Sequence, residues 1–131
     1  MEEKRVRVVW TETAKKNLAK LPQAVRRGLL KKAALLRDCA DPRSASKPLW
    51  GPLQGFYRIT YSRYRAIYDV EEEQLASGDV FVTITVRFVA AGIRKEGDKK
   101  DVYRFAQRML KLGGIDLEFD EDDLAEPEED V

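Results

Sequence analysis

Three arginines and four of the chain's five tyrosines crowd into one short segment of the sequence. The segment is GFYRITYSRYRAIYDV, residues 55–70, and its arginines are Arg58, Arg63 and Arg65. A guanidinium group stays protonated, and its fork of N–H donors can hold two oxygens of a phosphate at once. Two such groups converging on one point would therefore bind a phosphodiester or a similar anion.

The alternation of side chains in this segment predicts a β-hairpin that separates the arginines from the tyrosines. Successive side chains of a strand point to opposite faces, and this pattern runs through residues 56–70 on both sides of a two-residue turn. If Tyr61 pairs with Tyr64 across the turn, Arg58 and Arg65 become diagonal neighbours on one face of the sheet. The tyrosines are then expected to face the helices and the core.

The charge of the chain is strongly asymmetric, although the net charge is only +1. Residues 116–131 contain ten acids and no Lys or Arg, which leaves 24 basic and 13 acidic residues in the first 115. A body with a net charge of +11 is typical of proteins that bind polyanions such as nucleic acid.

The composition also excludes several kinds of site. The sequence has no histidine, which excludes histidine-ligated zinc, a Ser-His-Asp triad and nucleases built on paired histidines. It has no CxxC pair, no glycine-rich phosphate loop and no internal repeat. The single cysteine cannot form an internal disulfide, and neither a signal peptide nor an apolar run long enough to span a bilayer is evident. We therefore expect a cytoplasmic protein with no membrane association, no metal and no cofactor.

Hydrophobic periodicity predicts the order strand, helix, helix, three strands, helix. The expected elements are a strand at 6–10, a helix capped by Thr11 or Thr13 and ending at Pro22, a helix at 23–40, strands at 56–61, 64–70 and 80–90, and a last helix between Asp98 and Gly113. Residues 71–79, EEEQLASGD, are interpreted as an acidic turn. This order predicts an α+β fold in which a small, twisted, mainly antiparallel sheet packs against an N-terminal helical hairpin, with a C-terminal helix.

Five segments, in this order, resemble the RelE/ParE superfamily of bacterial toxins from type II toxin–antitoxin systems. They are VVWTETAKKNLAKLP, KPLWGPLQGFYRI, YRAIYDV, AAGIRKE and DVYRFAQRML, and together they span roughly residues 5–112. The resemblance implies a RelE-like domain at 1–114 and a cognate antitoxin that neutralises it. In the RelE branch, which we favour, it implies an endonuclease that cuts mRNA in the ribosomal A site and so inhibits translation.

The same resemblance implies which residues are catalytic. The active positions of the RelE branch fall on Arg58, Arg65, Arg94 and Tyr103. A basic residue expected two positions after the first arginine is replaced by Thr60, and the insert EGDKK moves the tyrosine away from Arg94. The candidates for the missing charge, and thus for RNA contacts, are Lys47, Lys95, Lys99 and Lys100.

Such a set suits RNA cleavage without a metal. When the 2′-oxygen attacks the adjacent phosphorus, the pentavalent phosphorane carries extra negative charge that arginine forks stabilise. The three arginines would hold the phosphate, while Tyr103 would orient or deprotonate the attacking hydroxyl. Without histidine the chain is poorly equipped for acid–base work, which fits an enzyme whose substrate is aligned by the ribosome.

Other interpretations stay open. The arginines would have no catalytic role if they form incidental ion pairs, for example with Asp69, on a solvated sheet face. The chain would then be a ParE-like DNA gyrase poison, or an inactive module that binds RNA or antitoxin. Lys31 and Lys32 belong to a helix face that is either solvated surface or a contact to ribosomal RNA. Residues 115–131 are expected to be a disordered solubilising tail, or a strand or helix docked on the basic body and restraining activity.

Overall fold

The computed structural model describes residues 3–39, 41–74, 81–98, 100–111 and 118–120. In these residues it contains three α-helices and a six-stranded sheet. The elements are β1 Glu3–Thr11, α1 Glu12–Ala19, α2 Gln23–Leu35, β2 Lys47–Pro48, β3 Tyr57–Tyr61, β4 Tyr64–Gln74, β5 Phe81–Ile93, α3 Val102–Lys111 and β6 Glu118–Asp120. The predicted α+β fold, with an N-terminal helical hairpin and a C-terminal helix, is confirmed.

Local interactions at the helix ends set the bounds of the two N-terminal helices. Thr11 is the N-cap of α1, because its side-chain oxygen accepts a hydrogen bond from the Ala14 N–H at 3.1 Å. Pro22 separates the two helices and immediately precedes α2. The prediction that α2 continues to residue 40 is wrong: the α-helix ends at Leu35 and a 3-10 turn follows at Leu36–Asp38. Tightening into a 3-10 turn is a common way to end a helix, and it satisfies carbonyls of the last turn.

The sheet order is β2-β3-β4-β5-β1-β6. Strands β1 and β5 are parallel, and the other neighbouring pairs are antiparallel. The predicted hairpin register is confirmed, with Tyr61 opposite Tyr64 and Thr60 opposite Arg65. Ser62 in the two-residue turn has a φ of 55°, the left-handed conformation that such tight connections use.

The acidic turn predicted at 71–79 is partly wrong. Residues 71–74 continue β4 and pair with Val82 to Thr85 of β5. The long neighbouring strand satisfies their backbone hydrogen bonds, while the glutamate side chains stay exposed, so their charges are not desolvated. Residues 75–79 lie outside the described part of the chain.

Two hydrophobic cores form on opposite faces of the sheet. On one face, α1 and α2 cover Trp10, Tyr68 and Phe88. The Trp10 ring stacks on Phe88 at a centroid distance of 4.2 Å, and the Tyr68 ring is tilted against Phe88 at 5.0 Å. The other tyrosines of the hairpin pack against this core, as predicted. On the opposite face, α3 covers a smaller core that includes Ile67 and Val102. The arginines of the hairpin therefore share their face with α3.

The C-terminal strand β6 lies next to β1 and is one of the two edge strands of the sheet. Its three residues pair antiparallel with Val9, Trp10 and Thr11, at the opposite end of the strand order from β2 and β3. Residues 112–117 and 121–131 lie outside the described residues, so the boundary between a domain at 1–114 and a tail at 115–131 stays a prediction. Within the described residues, no helix is long and apolar enough to cross a membrane.

Candidate phosphate-binding site

Arg58, Arg94 and Tyr103 come together on the face of the sheet that carries α3. Arg58 Nη1 donates a hydrogen bond to the Tyr103 hydroxyl oxygen at 3.0 Å. The Arg94 guanidinium carbon lies 4.2 Å from the centre of the Tyr103 ring, which places the cation over the aromatic face. Arg58 and Tyr103, which are 45 positions apart along the chain, thus form one cationic cluster with Arg94 around a phenol.

A β-bulge turns Arg94 toward this cluster. The pairing of β4 with β5 shifts between Ile67, opposite Ala90, and Tyr68, opposite Phe88, so Val89 is an extra residue. Val89 and Ala90 both belong to the core under α3, whereas strict alternation would place them on opposite faces. Because the bulge reverses the alternation beyond it, Arg94 faces α3 and Tyr103 rather than the helical hairpin.

Asp101 anchors Arg94. Its side chain is only 2% exposed, and its Oδ2 accepts a hydrogen bond from Arg94 Nη1 at 2.6 Å. Its Oδ1 accepts from the Lys95 N–H at 2.7 Å. Burial disfavours the charged carboxylate, but the Arg94 side chain and backbone N–H donors of Lys95 and Arg104 outweigh it, so the pKa of Asp101 is lowered. The hydrogen bond to Asp101 in turn raises the pKa of Arg94.

The last helix begins later in the chain than the sequence predicts, directly after Asp101. The sequence predicts a helix that starts after Asp98, but α3 begins at Val102, and the Asp101 carbonyl accepts the first helical hydrogen bond, from the Phe105 N–H at 3.0 Å. Asp98 instead accepts from the Lys100 N–H at 2.8 Å within the preceding turn. Gly113, predicted to end the helix, lies outside the described residues.

Arg65 lies on the same face as Arg58 but is turned toward its own hairpin. Its Nη1 donates to the carbonyl oxygens of Ser62 and Tyr64, both at 3.0 Å. Its Nε is buried and has no hydrogen-bond partner within the described part of the chain. A buried unsatisfied donor costs about 1–3 kcal/mol, and such groups are often found at functional sites.

The ion pair suggested for the hairpin arginines is made by another residue. Asp69 faces Arg87 directly across β4 and β5, and it accepts from Arg87 Nε at 3.1 Å and Nη2 at 2.7 Å. Its carboxylate is therefore occupied by a bidentate contact. This removes the alternative in which Asp69 neutralises Arg58 or Arg65.

Two of the lysines proposed to contact RNA border the arginines. Lys47 of β2 lies opposite Arg58, and Lys32 of α2 donates its Nζ to the Thr60 carbonyl at the edge of β3. Both line a cleft of 620 Å³ that also includes Arg58 and Arg65, which we call the Lys32 cleft. Four basic side chains thus surround one cavity.

The other proposed lysines lie elsewhere. Lys31 is exposed on α2, and Lys95 and Lys100 are exposed in the connection between β5 and α3. None of these three lines the Lys32 cleft. Lys99 is outside the described residues.

A second cleft adjoins the first on the α3 side. It has a volume of 420 Å³ and includes Lys47 and Arg58 together with Trp50, Tyr103 and Gln107. We call it the Trp50 cleft.

The sequence analysis did not select Trp50, Asp101 or Gln107 as site residues. The only sequence signal for any of them is that an aspartate, Asp101, stands directly before the last helix. Among the residues that the structure describes, no group of three or more His, Cys, Asp or Glu side chains could hold a metal ion.

Comparisons with known proteins agree with the family resemblance. Residues 8–78, more than half of the chain, match the family described as ParE toxin of type II toxin-antitoxin system, parDE. The RelBE2 toxin–antitoxin complex of Mycobacterium tuberculosis contains a similar chain, with 23% identity and a TM-score of 0.49, covering 69% of this protein and 99% of that chain. A search of curated proteins gave no match. From the family match and the ordered motifs together, the chain belongs to the RelE/ParE superfamily of type II toxin–antitoxin toxins.

Proposed function

We propose that this toxin is a metal-independent endoribonuclease that cuts mRNA on the ribosome. The observation that carries the proposal is the cluster in which Arg58 donates to the Tyr103 hydroxyl and Arg94 stacks on its ring. A toxin that acts only through protein contacts does not need two guanidinium groups converging on one phenol. The Lys32 cleft adds three further cations beside Arg58.

The chemistry follows from what these groups can stabilise. The 2′-oxygen forms a bond to phosphorus while the bond to the 5′-oxygen breaks, which leaves a 2′,3′-cyclic phosphate and, after proton uptake, a 5′-hydroxyl. Arg58 and Arg65 would hold the phosphate oxygens as negative charge develops on them. Tyr103, whose hydroxyl oxygen accepts a hydrogen bond from Arg58, would orient the 2′-hydroxyl or accept its proton.

Arg94 has a different role in this proposal. One of its nitrogens is held by the buried Asp101, another lies 3.8 Å from Glu96, and its face covers Tyr103. Much of its charge is thereby compensated, so it is a weaker phosphate ligand than Arg58. We assign it to positioning Tyr103, whose ring it covers while Arg58 holds the hydroxyl.

The family supplies the remaining parts of the proposal. A toxin of a type II system is expected to be held inactive in the cytoplasm by a cognate antitoxin. The ribosome would present the mRNA, because the sequence has no histidine and the residues that the structure describes contain no metal site that could supply strong acid–base catalysis on free RNA.

The experiment is to express the protein briefly in bacteria and to map the 5′ ends of cellular RNA. We expect codon-phased cuts from the natural protein and at least about a hundredfold fewer from Arg65→Ala or Tyr103→Phe, typical for losing one catalytic group. Arg63→Ala is the matched control, because Arg63 is exposed on the same turn and lines neither cleft. Equal cutting by Arg63→Ala and Arg65→Ala would contradict the proposed site.

The second candidate is a DNA gyrase poison, which is equally compatible with the match to the ParE toxin family. It predicts DNA breaks and an SOS response on expression, with no phased RNA ends. Arg65→Ala and Tyr103→Phe would then leave toxicity intact, since the phosphate site would have no role.

A further inference from the structure

Trp50 is the most exposed large apolar side chain in the described part of the chain. Its side chain and backbone together are 78% exposed, while its neighbours in the same loop, Leu49 and Leu53, are 8% and 2% exposed. The loop therefore buries the leucines on either side and presents the indole to solvent. An indole held in water forgoes the burial that would normally stabilise it, which points to a contact made in a complex.

The loop that carries Trp50 is rigid. The Leu49 N–H donates to the Phe56 carbonyl at 2.9 Å, and the Phe56 N–H donates to the Leu53 carbonyl at 3.1 Å. Prolines at 48 and 52 restrict the backbone on both sides of the tryptophan. Because the backbone that carries Trp50 is already restrained, the loop itself needs little further ordering when the indole binds.

The surroundings of Trp50 are those of a nucleic acid contact. The Trp50 cleft also includes Arg58 and Tyr103, so the indole lies beside the proposed phosphate site. Gln107 belongs both to this cleft and to a neighbouring cleft of 480 Å³ on the outer face of α3. The 480 Å³ cleft is lined by Arg104, Arg108 and Lys111, whose positive charges continue along α3.

We propose that Trp50 stacks on a base of the single-stranded RNA whose phosphate is held by Arg58. The inference rests on the proposed endonuclease function and names how its substrate is held. A base next to the bound phosphate would lie on the indole, and the following phosphates would pass Gln107 toward the basic face of α3. Aromatic stacking accepts any base, so Trp50 adds affinity and alignment without selecting a sequence.

The test is an NMR titration of the natural protein with a short 2′-O-methyl RNA at low salt. The methyl group blocks the attacking oxygen, so binding is measured without cleavage. The protein has two tryptophans, which give two indole N–H signals; Trp10 is fully buried and is the internal control. We expect the Trp50 signal to shift and the Trp10 signal to stay in place.

Variants measure the contribution of stacking. Trp50→Ala should weaken binding about tenfold, and Trp50→Tyr should restore most of it. An oligonucleotide with abasic riboses should bind the natural protein and Trp50→Ala equally. The matched control is Gln54→Ala, because Gln54 is exposed in the same loop as Trp50 and lines none of the three clefts. It should bind like the natural protein.

The outcomes separate this inference from the proposed function. Binding with an unmoved Trp50 signal, or an equal loss from Gln54→Ala and Trp50→Ala, would overturn the stacking contact alone. Stacking without RNA cuts in cells would overturn the endonuclease alone. If the natural protein binds no free RNA yet makes codon-phased cuts in cells, the stacking contact is overturned and the endonuclease stands; if it neither binds nor cuts RNA, both proposals fail.

Discussion

Replacing Asp101 by Asn tests whether the buried carboxylate holds the site together. Asn has nearly the same shape and can still accept from the Lys95 N–H. Its amide cannot supply the negative charge that now faces Arg94 Nη1 at 2.6 Å. The substitution therefore removes the charge pairing and leaves most of the packing unchanged.

The expected cost follows from burial. Breaking a buried ion pair by removing one partner costs about 3–5 kcal/mol. The Asp101 side chain is 2% exposed but that of Arg94 is 26% exposed, so the unpaired guanidinium regains part of its hydration. We therefore expect Asp101→Asn to lower the free energy of unfolding by about 2–3 kcal/mol at pH 7.

The lowered pKa of Asp101 determines how its contribution to the free energy of unfolding changes with pH. The pKa of Asp101 is below its ordinary value of 3.8 in the folded protein, so its ionised form stabilises the fold above that pH. This contribution is lost as the pH falls through the folded-state pKa. The difference between the natural protein and Asp101→Asn should therefore shrink below about pH 4.

Urea unfolding at pH 7 and at about pH 3 measures both effects. Asp98→Asn is the control, because Asp98 is in the same connection and is partly exposed, and its ion pair with Lys95 Nζ is long, at 3.9 Å. It should change stability by less than about 0.5 kcal/mol. A cost under 0.5 kcal/mol for Asp101→Asn at pH 7, or a difference that does not narrow in acid, would refute the reasoning.

Gly28→Ala should destabilise the fold by about 1–3 kcal/mol in urea unfolding, because a Cβ in α2 would overlap the Tyr61 ring; a gain of about 1 kcal/mol, usual for this change in a helix, would contradict that contact. Tyr68→Phe should cost about 1–2 kcal/mol, since the buried hydroxyl donates to the Pro42 carbonyl and contacts Ser46 Oγ at 2.7 Å; no loss in the same assay would mean that water replaces these bonds. Truncation after residue 114 should lower the melting temperature by exposing the β1 edge, and it should leave RNA cutting unchanged because β6 is three strands from β4; increased cutting or toxicity would support autoinhibition by the tail.

The hairpin could be predicted from the sequence because its information is local. Period-two alternation and a two-residue gap were sufficient to give the register that pairs Tyr61 with Tyr64. The same alternation placed the tyrosines against the helical hairpin. Where one face of a strand must be buried, a shift by one residue would reverse every side chain, so the register is strongly determined.

The convergence of Arg94 on Tyr103 could not be predicted in this way. It depends on the extra residue Val89 in β5. The surrounding sequence, TVRFVAAGI, has no proline, and its one glycine lies three residues beyond Val89, so nothing in it marks a bulge at that residue. The convergence also depends on Asp101, whose function as an anchor appears only when the turn after β5 brings it beside Arg94. Both are consequences of pairing between distant segments. The resemblance gave the residues, while tertiary structure gave their geometry.

The replacement at Thr60 shows how charge at the site depends on the whole fold. The expected basic residue is absent from β3, yet Lys32 brings its Nζ from α2 to the Thr60 carbonyl, and Lys47 lies opposite Arg58. Both lysines line the cleft shared by Arg58 and Arg65. Since a phosphate responds to the summed field of nearby cations rather than to their position in the chain, two neighbouring elements can supply the charge that the strand lacks. Lysine binds phosphate as a point charge, however, so bidentate contacts in the proposed phosphate site would come from the two arginines.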